Sequence, residues 1–396
     1  MARSYAESMP DALNWNRAAT CDAPAPGVAE AMIAGLTAAD GLRGAGAGSA
    51  GSDLNQVRAL AADTFGFAWP DRVIFCPGAT YALNQAVHNI ADGATVLVSA
   101  LEHNSLLRPL HHAQLNRQVQ LRQVPITAQA LIDITAVEQE LKKGGVDWIV
   151  LSLASNVFGT IQPVSEVCSL AREFGVQVIL DLCQGGGQLE VDLNALQPAY
   201  AIVPGHKALH GPRGVGLLFV HPSQDPKPLT VGGTGSHGEN LNMPSALPAR
   251  LEAGTPNMPG ILGLGAALNW RRHHPADLQT LRQHMQSLEG YLRSRKDVRV
   301  FPPKPLPWSQ RLGILSFEPL SIPPTVLVAT MAQFGLHARA GMMCAAWAPR
   351  SVQAQDGFVR LSPPETADAA EFEFGLQCLQ QALQAFAPQD TGQSKQ

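Results

Sequence analysis

From about residue 70 to 220 the chain repeats one pattern: a short apolar run, a turn of small or polar residues, then a segment whose apolar side chains return every three or four positions. The runs at 73–76, 96–99, 148–154, 176–180 and 201–203 are apolar nearly throughout, as expected of strands covered on both faces. Between two of them Val164, Val167, Leu170, Ala171 and Phe174 share a helical face, and Gly175 follows as a cap. Repeated strand–helix alternation predicts an α/β fold with a mostly parallel, helix-covered sheet.

The pattern then changes. Residues 223–262 are rich in Gly, Pro, Asn and Thr and predict a long loop region. Helical runs around 264–272 and 278–296 and a strand at 314–318 predict a smaller α+β unit. The division expected is a large domain at 18–258 and a small C-terminal domain at 259–388, with 1–17 packing on the small one. The polar residues 389–396 are expected to be a disordered tail.

Composition agrees with two domains: 396 residues at 45% hydrophobic content exceed one small core. The formal charge is −4, from 28 basic and 32 acidic residues with no long basic run, which argues against a nucleic-acid partner. No stretch of about 18 apolar residues predicts a membrane span, and the first residues lack the apolar segment of a signal peptide. A soluble cytoplasmic protein is expected. Six cysteines, at 21, 76, 168, 183, 344 and 378, form no C-x-x-C pair, so neither a disulfide framework nor a zinc site is expected. Two G-x-G-x-x-G matches, at 46–51 and 233–238, lack the strand before or the helix after that a dinucleotide site requires. The pair His273-His274 has no metal-ligand spacing and reads as a solvated face.

In a parallel sheet, ligands bind outside the carboxyl ends of the strands, so the residues just after each run carry the chemistry. After 73–76 comes Pro77-Gly78-Ala79-Thr80, a turn into a helix whose free N–H groups suit a phosphate. After 96–99 comes Glu102-His103-Asn104-Ser105; after 148–154, Ser155-Asn156; after 176–180, Asp181 with Gln184 three residues on; after 201–203, Gly205-His206-Lys207. Each alone reads as an ordinary turn, cap or solvated charge. Together they meet the needs of pyridoxal phosphate (PLP): a phosphate cradle, an imidazole to stack on the ring, an amide for the ring hydroxyl, a carboxylate for the ring nitrogen and an amine for the imine.

These residues resemble the class V aminotransferases, and within them the cysteine desulfurases. The stretches are FCPGATYALN, LEHNSLLRPL, SNVFGTIQP, DLCQ, GHKALHGPRGVG, GGTGS and LPARLEAGTPN, then ARAGMMC and GFVRLSP. The resemblance implies the PLP-dependent transferase fold type I, with a seven-stranded type of sheet in the large domain. It makes Lys207 the Schiff-base lysine with His206 its neighbour. It makes His103, Asn156, Asp181 and Gln184 ring contacts, and Ala79 and Thr80 the phosphate turn. Thr234 would reach the cofactor phosphate of a partner subunit, implying a homodimer. Arg360 would bind the substrate carboxylate, with Asn156 beside it. Cys344 would accept sulfur as a persulfide while L-cysteine becomes L-alanine, with Lys207 moving protons at Cα and a sulfur-acceptor protein as a possible partner. Alternatives on the same scaffold are a selenocysteine or cysteine lyase and an aminotransferase or epimerase, in which Cys344 is not essential. A chain that only scaffolds a partner is the reading from another class.

The chain departs from that pattern in four places. Arg17 stands where asparagine is usual, Met343 where histidine is common, Pro364-Glu365-Thr366 where an Asn-Thr pair is usual, and GLRGAGAGSAGS where a Gly-Arg-Gly-x-His pattern is common. Ala340-Gly341 and Ala345-Ala346 around Cys344 predict an open, mobile loop.

Overall fold

The protein is represented by a computed structural model that describes residues 12–21, 23–37, 48–235, 239–354 and 356–386. The expected tail at 389–396 lies outside the described residues. The first sheet has seven strands in the order Val73–Cys76, Gly216–Val220, Tyr200–Pro204, Gln177–Asp181, Trp148–Ser152, Thr95–Ser99 and Gln120–Val124. The last five run parallel, whereas Gly216–Val220 is antiparallel to both its neighbours. Alternate side chains serve two cores. Leu97, Ile149, Leu151, Leu180 and Val203 belong to one apolar cluster, and Val96, Val98, Val150, Ile179 and Ile202 to another. That two-sided burial is why these strands read as continuous apolar runs.

Two strands of this sheet were not anticipated. Gln120–Val124 is an edge strand with one buried residue, so it shows no apolar run. Gly216–Val220 is apolar but reverses the chain direction beside the strand before it. The sequence also assigns the helical run near 264–272 to the C-terminal unit. The helix observed there, Met258–His273, instead packs with the first sheet: Met258, Ile261, Leu264 and Leu268 join the cluster of Leu151 and Val203. Glycines permit the close approach. A Cβ on Gly265 would lie 2.7 Å from Val57 Cγ2, and one on Gly35 of the helix Val28–Thr37 would lie 2.6 Å from Pro259 Cα.

The second sheet is antiparallel, in the order Arg339–Gly341, Phe358–Leu361, Leu315–Pro319 and Val298–Phe301. The helices Gln279–Ser294, Pro324–Gln333 and Ala369–Gln384 supply much of its core. Leu13–Asn14 pairs parallel with Leu336–His337, and Trp15, 1% exposed, packs on Phe372. A buried carboxylate, Glu289, accepts from Trp308 Nε1 at 2.8 Å and Arg311 Nη1 at 2.9 Å. Next to it, Leu312 N–H donates to the Gly159 carbonyl at 2.8 Å, fastening the second sheet's unit to the turn that follows strand Trp148–Ser152. Among the described residues no helix is long and apolar enough to cross a membrane.

Candidate active site at the carboxyl rim of the parallel sheet

The parallel strands end around a cleft of about 560 Å³. Lys207 enters it from the turn after Tyr200–Pro204. Asp181, the last residue of its strand and 2% exposed, accepts from Cys183 N–H through Oδ1 at 2.8 Å. His103 caps the helix Asn104–Arg117: its Nδ1 accepts from Ser105 N–H at 3.0 Å, which leaves the ring proton on Nε2. Burial first, and then the charge of Lys207, brings this imidazole down to about 4, so it is neutral near neutral pH.

Ala79 and Thr80 open the helix Ala79–His88 at the cleft wall, and no side chain caps that helix start. Its first N–H groups therefore lack intrahelical partners. The segment 18–20 is strapped across the opposite side. Gln184 Nε2 donates to the Ala18 carbonyl at 2.8 Å, and Thr20 Oγ1 lies 2.9 Å from His206 Nδ1.

Arg360 reaches the cleft from the second sheet and is 1% exposed. Its Nη1 donates to the Asn156 carbonyl and its Nη2 to Asn16 Oδ1, both at 2.8 Å. Burial, and after it the charge of Arg339, brings the guanidinium down to about 9. Asn156 in turn donates through Nδ2 to the Met343 carbonyl at 2.8 Å.

Cys344 lies in an adjoining groove that shares Thr80, His103 and Ser105 with the cleft. Its surroundings differ from the open loop expected. Met343 is 2% exposed and Ala345 fully buried, in a cluster with Phe158, Phe301 and Phe358. The Cys344 carbonyl accepts from Asn104 N–H at 2.7 Å, and Arg339 Nη2 donates to Cys344 Sγ at 3.1 Å. Met343 and Cys344 are both left-handed, at φ 53° and 54°. Such conformations persist where packing dictates them, and the apolar Met343 makes that packing possible.

Of the residues singled out from sequence, Ala79, Thr80, His103, Asn156, Asp181 and Gln184 line one cleft, with His206, Lys207 and Arg360. Thr234 is not among its lining residues and sits in the loop 221–257. Arg17 lines a second cavity of about 390 Å³ on the other side of Lys207. Three residues around the site were assigned no role from the sequence. Arg339 orients the Cys344 sulfur. Glu102, fully buried, accepts from Ser99 Oγ and Ser152 Oγ at 2.6 Å each, next to Asp181's strand. Glu365 is the third. The position of Glu102, beside His103, was the available signal; Arg339 lies five residues before Cys344, and Glu365 acts through partners distant in sequence.

Residues 17–371 match the family described as Aminotransferase class-V. A cysteine desulfurase of Yersinia pestis is 28% identical over 306 residues, covering 74% of this chain and 73% of that protein. Among solved structures, an apo cysteine desulfurase of Thermococcus onnurineus superposes with a TM-score of 0.85 at 21% identity, covering 95% of both chains. A cysteine desulfurase of Escherichia coli superposes with a TM-score of 0.82 at 23% identity, again covering 95% of both. The fold is thus the PLP-dependent transferase fold type I. The chain is a member of the class V aminotransferase family, whose enzymes are PLP-dependent.

Proposed function

We propose that the protein is a PLP-dependent cysteine desulfurase that converts L-cysteine to L-alanine and takes the sulfur on Cys344. The observation that carries this reading is the placement of Cys344, held by Arg339, in a groove that shares His103 and Thr80 with the cleft of Lys207. The cleft suits the cofactor. The uncapped start of helix Ala79–His88 offers N–H groups to a phosphate. Asp181 offers a buried carboxylate to a ring nitrogen, and Lys207 an amine for covalent attachment. When bound, PLP supplies an electron sink for the substrate Cα.

The chain's own residues do the rest. Arg360 and Asn156 bind the amino-acid carboxylate. His103 presents its Nε2 proton toward the cleft, and Lys207 Nζ carries a proton to and from Cα. Cys344 Sγ forms an S–S bond as the substrate C–S bond breaks. The sulfur leaves as a persulfide on Cys344, and the carbon that lost it gains a proton, giving alanine. The persulfide is passed on to a sulfur-acceptor protein.

The working unit is a homodimer, in which Thr234 approaches the partner subunit's cofactor site. Exposed Val231 and Leu241, in the same loop as Thr234, support a covered surface there. The test is alanine and sulfide release from cysteine by wild type and Cys344→Ala, with a mass spectrum of the Cys344 peptide. One added sulfur in wild type and loss of turnover in the variant are expected. Unchanged turnover in Cys344→Ala would replace this reading with a lyase in which the thiol is dispensable.

A further inference from the structure

The turn that carries Lys207 is tied down by groups outside the cleft. His210 N–H donates to the Lys207 carbonyl at 2.9 Å, closing the turn with His210 at φ 56°, a value that residues with a Cβ seldom adopt. Arg271, from helix Met258–His273, donates through Nη2 to the Ala208 carbonyl at 2.7 Å. The same nitrogen donates to Glu365 Oε1 at 2.7 Å. Glu365 also faces His210 Nε2 at 3.6 Å, and its Oε2 accepts from Gln188 Nε2 at 3.1 Å. The Arg271 and Glu365 side chains are 5% and 9% exposed, so the pair is little screened by water.

Glu365 belongs to the segment after strand Phe358–Leu361, five residues beyond Arg360. It also stands where the chain leaves the pattern it otherwise resembles. A single short segment from the second sheet's unit therefore brings one side chain to the cleft and another to the back of the lysine turn.

We infer that Glu365, acting through Arg271 and His210, is a positioning residue that holds the Lys207 turn in one closed conformation. The ion pair fixes the Ala208 carbonyl and the His210 ring on either side of the turn's closing hydrogen bond. With two of the turn's four residues held by a buried charge pair, the lysine is offered to the cleft in a single orientation rather than several. The inference rests on the reading of Lys207 as the cofactor-holding lysine.

The test compares wild type, Glu365→Gln and the double variant Glu365→Gln/Arg271→Met, each supplied with PLP. The double variant removes both buried charges and stands in where the single one, with its uncompensated guanidinium, fails to fold. Three signals are read: the visible circular dichroism per bound cofactor, the PLP dissociation constant, and the fraction of Lys207 peptide carrying PLP after borohydride reduction. Both variants are expected to lose visible dichroism and to bind PLP about tenfold more weakly, the scale of one lost charged hydrogen bond. A folded double variant with wild-type dichroism and affinity, or one with only a lower thermal midpoint, would overturn the inference while leaving Lys207's role intact. Absence of any Lys207 adduct in the wild type would overturn the reading of Lys207 and the inference with it.

Discussion

If Arg360 binds the substrate carboxylate, as proposed, its setting explains what lysine could not replace. It is fully enclosed, its Nη1 and Nη2 are committed to Asn156 and Asn16, and its Nε has no hydrogen-bond partner among the described residues. Lysine cannot reproduce that planar fork. Arg360→Lys should lower kcat/KM for cysteine by about 1.5–3 kcal/mol, roughly 10- to 150-fold, mostly through KM; steady-state kinetics would show it, and an unchanged KM would remove Arg360 from carboxylate binding. Glu102 tests the site from behind. Burial, opposed in part by the hydroxyls of Ser152 and Ser99 and reinforced by Asp181, pushes its carboxyl up from 4.5 to about 7. The native state therefore favours the protonated acid, and that contribution is lost as pH rises from 4.5 through about 7. Relative to wild type, Glu102→Gln should gain up to about 3 kcal/mol of stability between acid and mildly alkaline pH, measured by denaturant unfolding. A pH-independent difference would show that Glu102 titrates normally.

At the scale of elements, the helix Ala369–Gln384 shows how much its own sequence specifies. Asp368 and Glu371 form a reciprocal capping box, Oδ1 accepting from Glu371 N–H at 2.9 Å and Oε2 accepting from Asp368 N–H at 3.2 Å. The spacing D-x-x-E announces such a start. Gly375 in its middle looks like a weak point, since glycine costs about 1 kcal/mol against alanine in a helix interior. Yet a Cβ there would lie 2.2 Å from Trp15 Cζ2, from a segment 360 residues earlier. Gly375→Ala is therefore expected to destabilise by about 1–3 kcal/mol, against helix propensity, because the indole cannot retreat from its packing on Phe372. A stabilised variant in urea unfolding would show that Trp15 yields easily.

For the whole molecule, acid stability should depend on the junction between the two sheets' units. Burial alone would raise Glu365, but the nearby His210 ring, the charge and hydrogen bond of Arg271 and the hydrogen bond from Gln188 outweigh it and bring the carboxyl from 4.5 down to about 2. Such a group stabilises the fold above 4.5 and loses that contribution as pH falls toward 2. His103 acts earlier: the unfolded imidazole protonates below 6.5 while the folded one resists until about 4, so stability falls across that interval. Between about pH 6 and about pH 3 the unfolding free energy should fall by about 2 kcal/mol more in wild type than in Glu365→Gln. Equal pH dependence in the two proteins would place the acid-sensitive contact elsewhere.

The sequence by itself determined the parallel sheet and the set of residues at its rim. Buried central strands must be continuously apolar, and ligand groups in such sheets must follow them, so both are written locally at 95–99, 148–152 and 177–181. Polar Gln120–Val124 was illegible because an edge strand needs no apolar run. The packing of helix Met258–His273 on the first sheet rests on Met258, Ile261, Leu264 and Leu268 meeting that sheet's core, a contact no local pattern records. Likewise, Gly341 and the alanines near Cys344 suggest an open loop, whereas the tertiary structure buries Met343 among Phe158, Phe301 and Phe358. Tertiary structure alone joined Glu365 to Arg271 and His210. Charge pairing across distant segments has no period in the chain; it exists only once those segments are folded together.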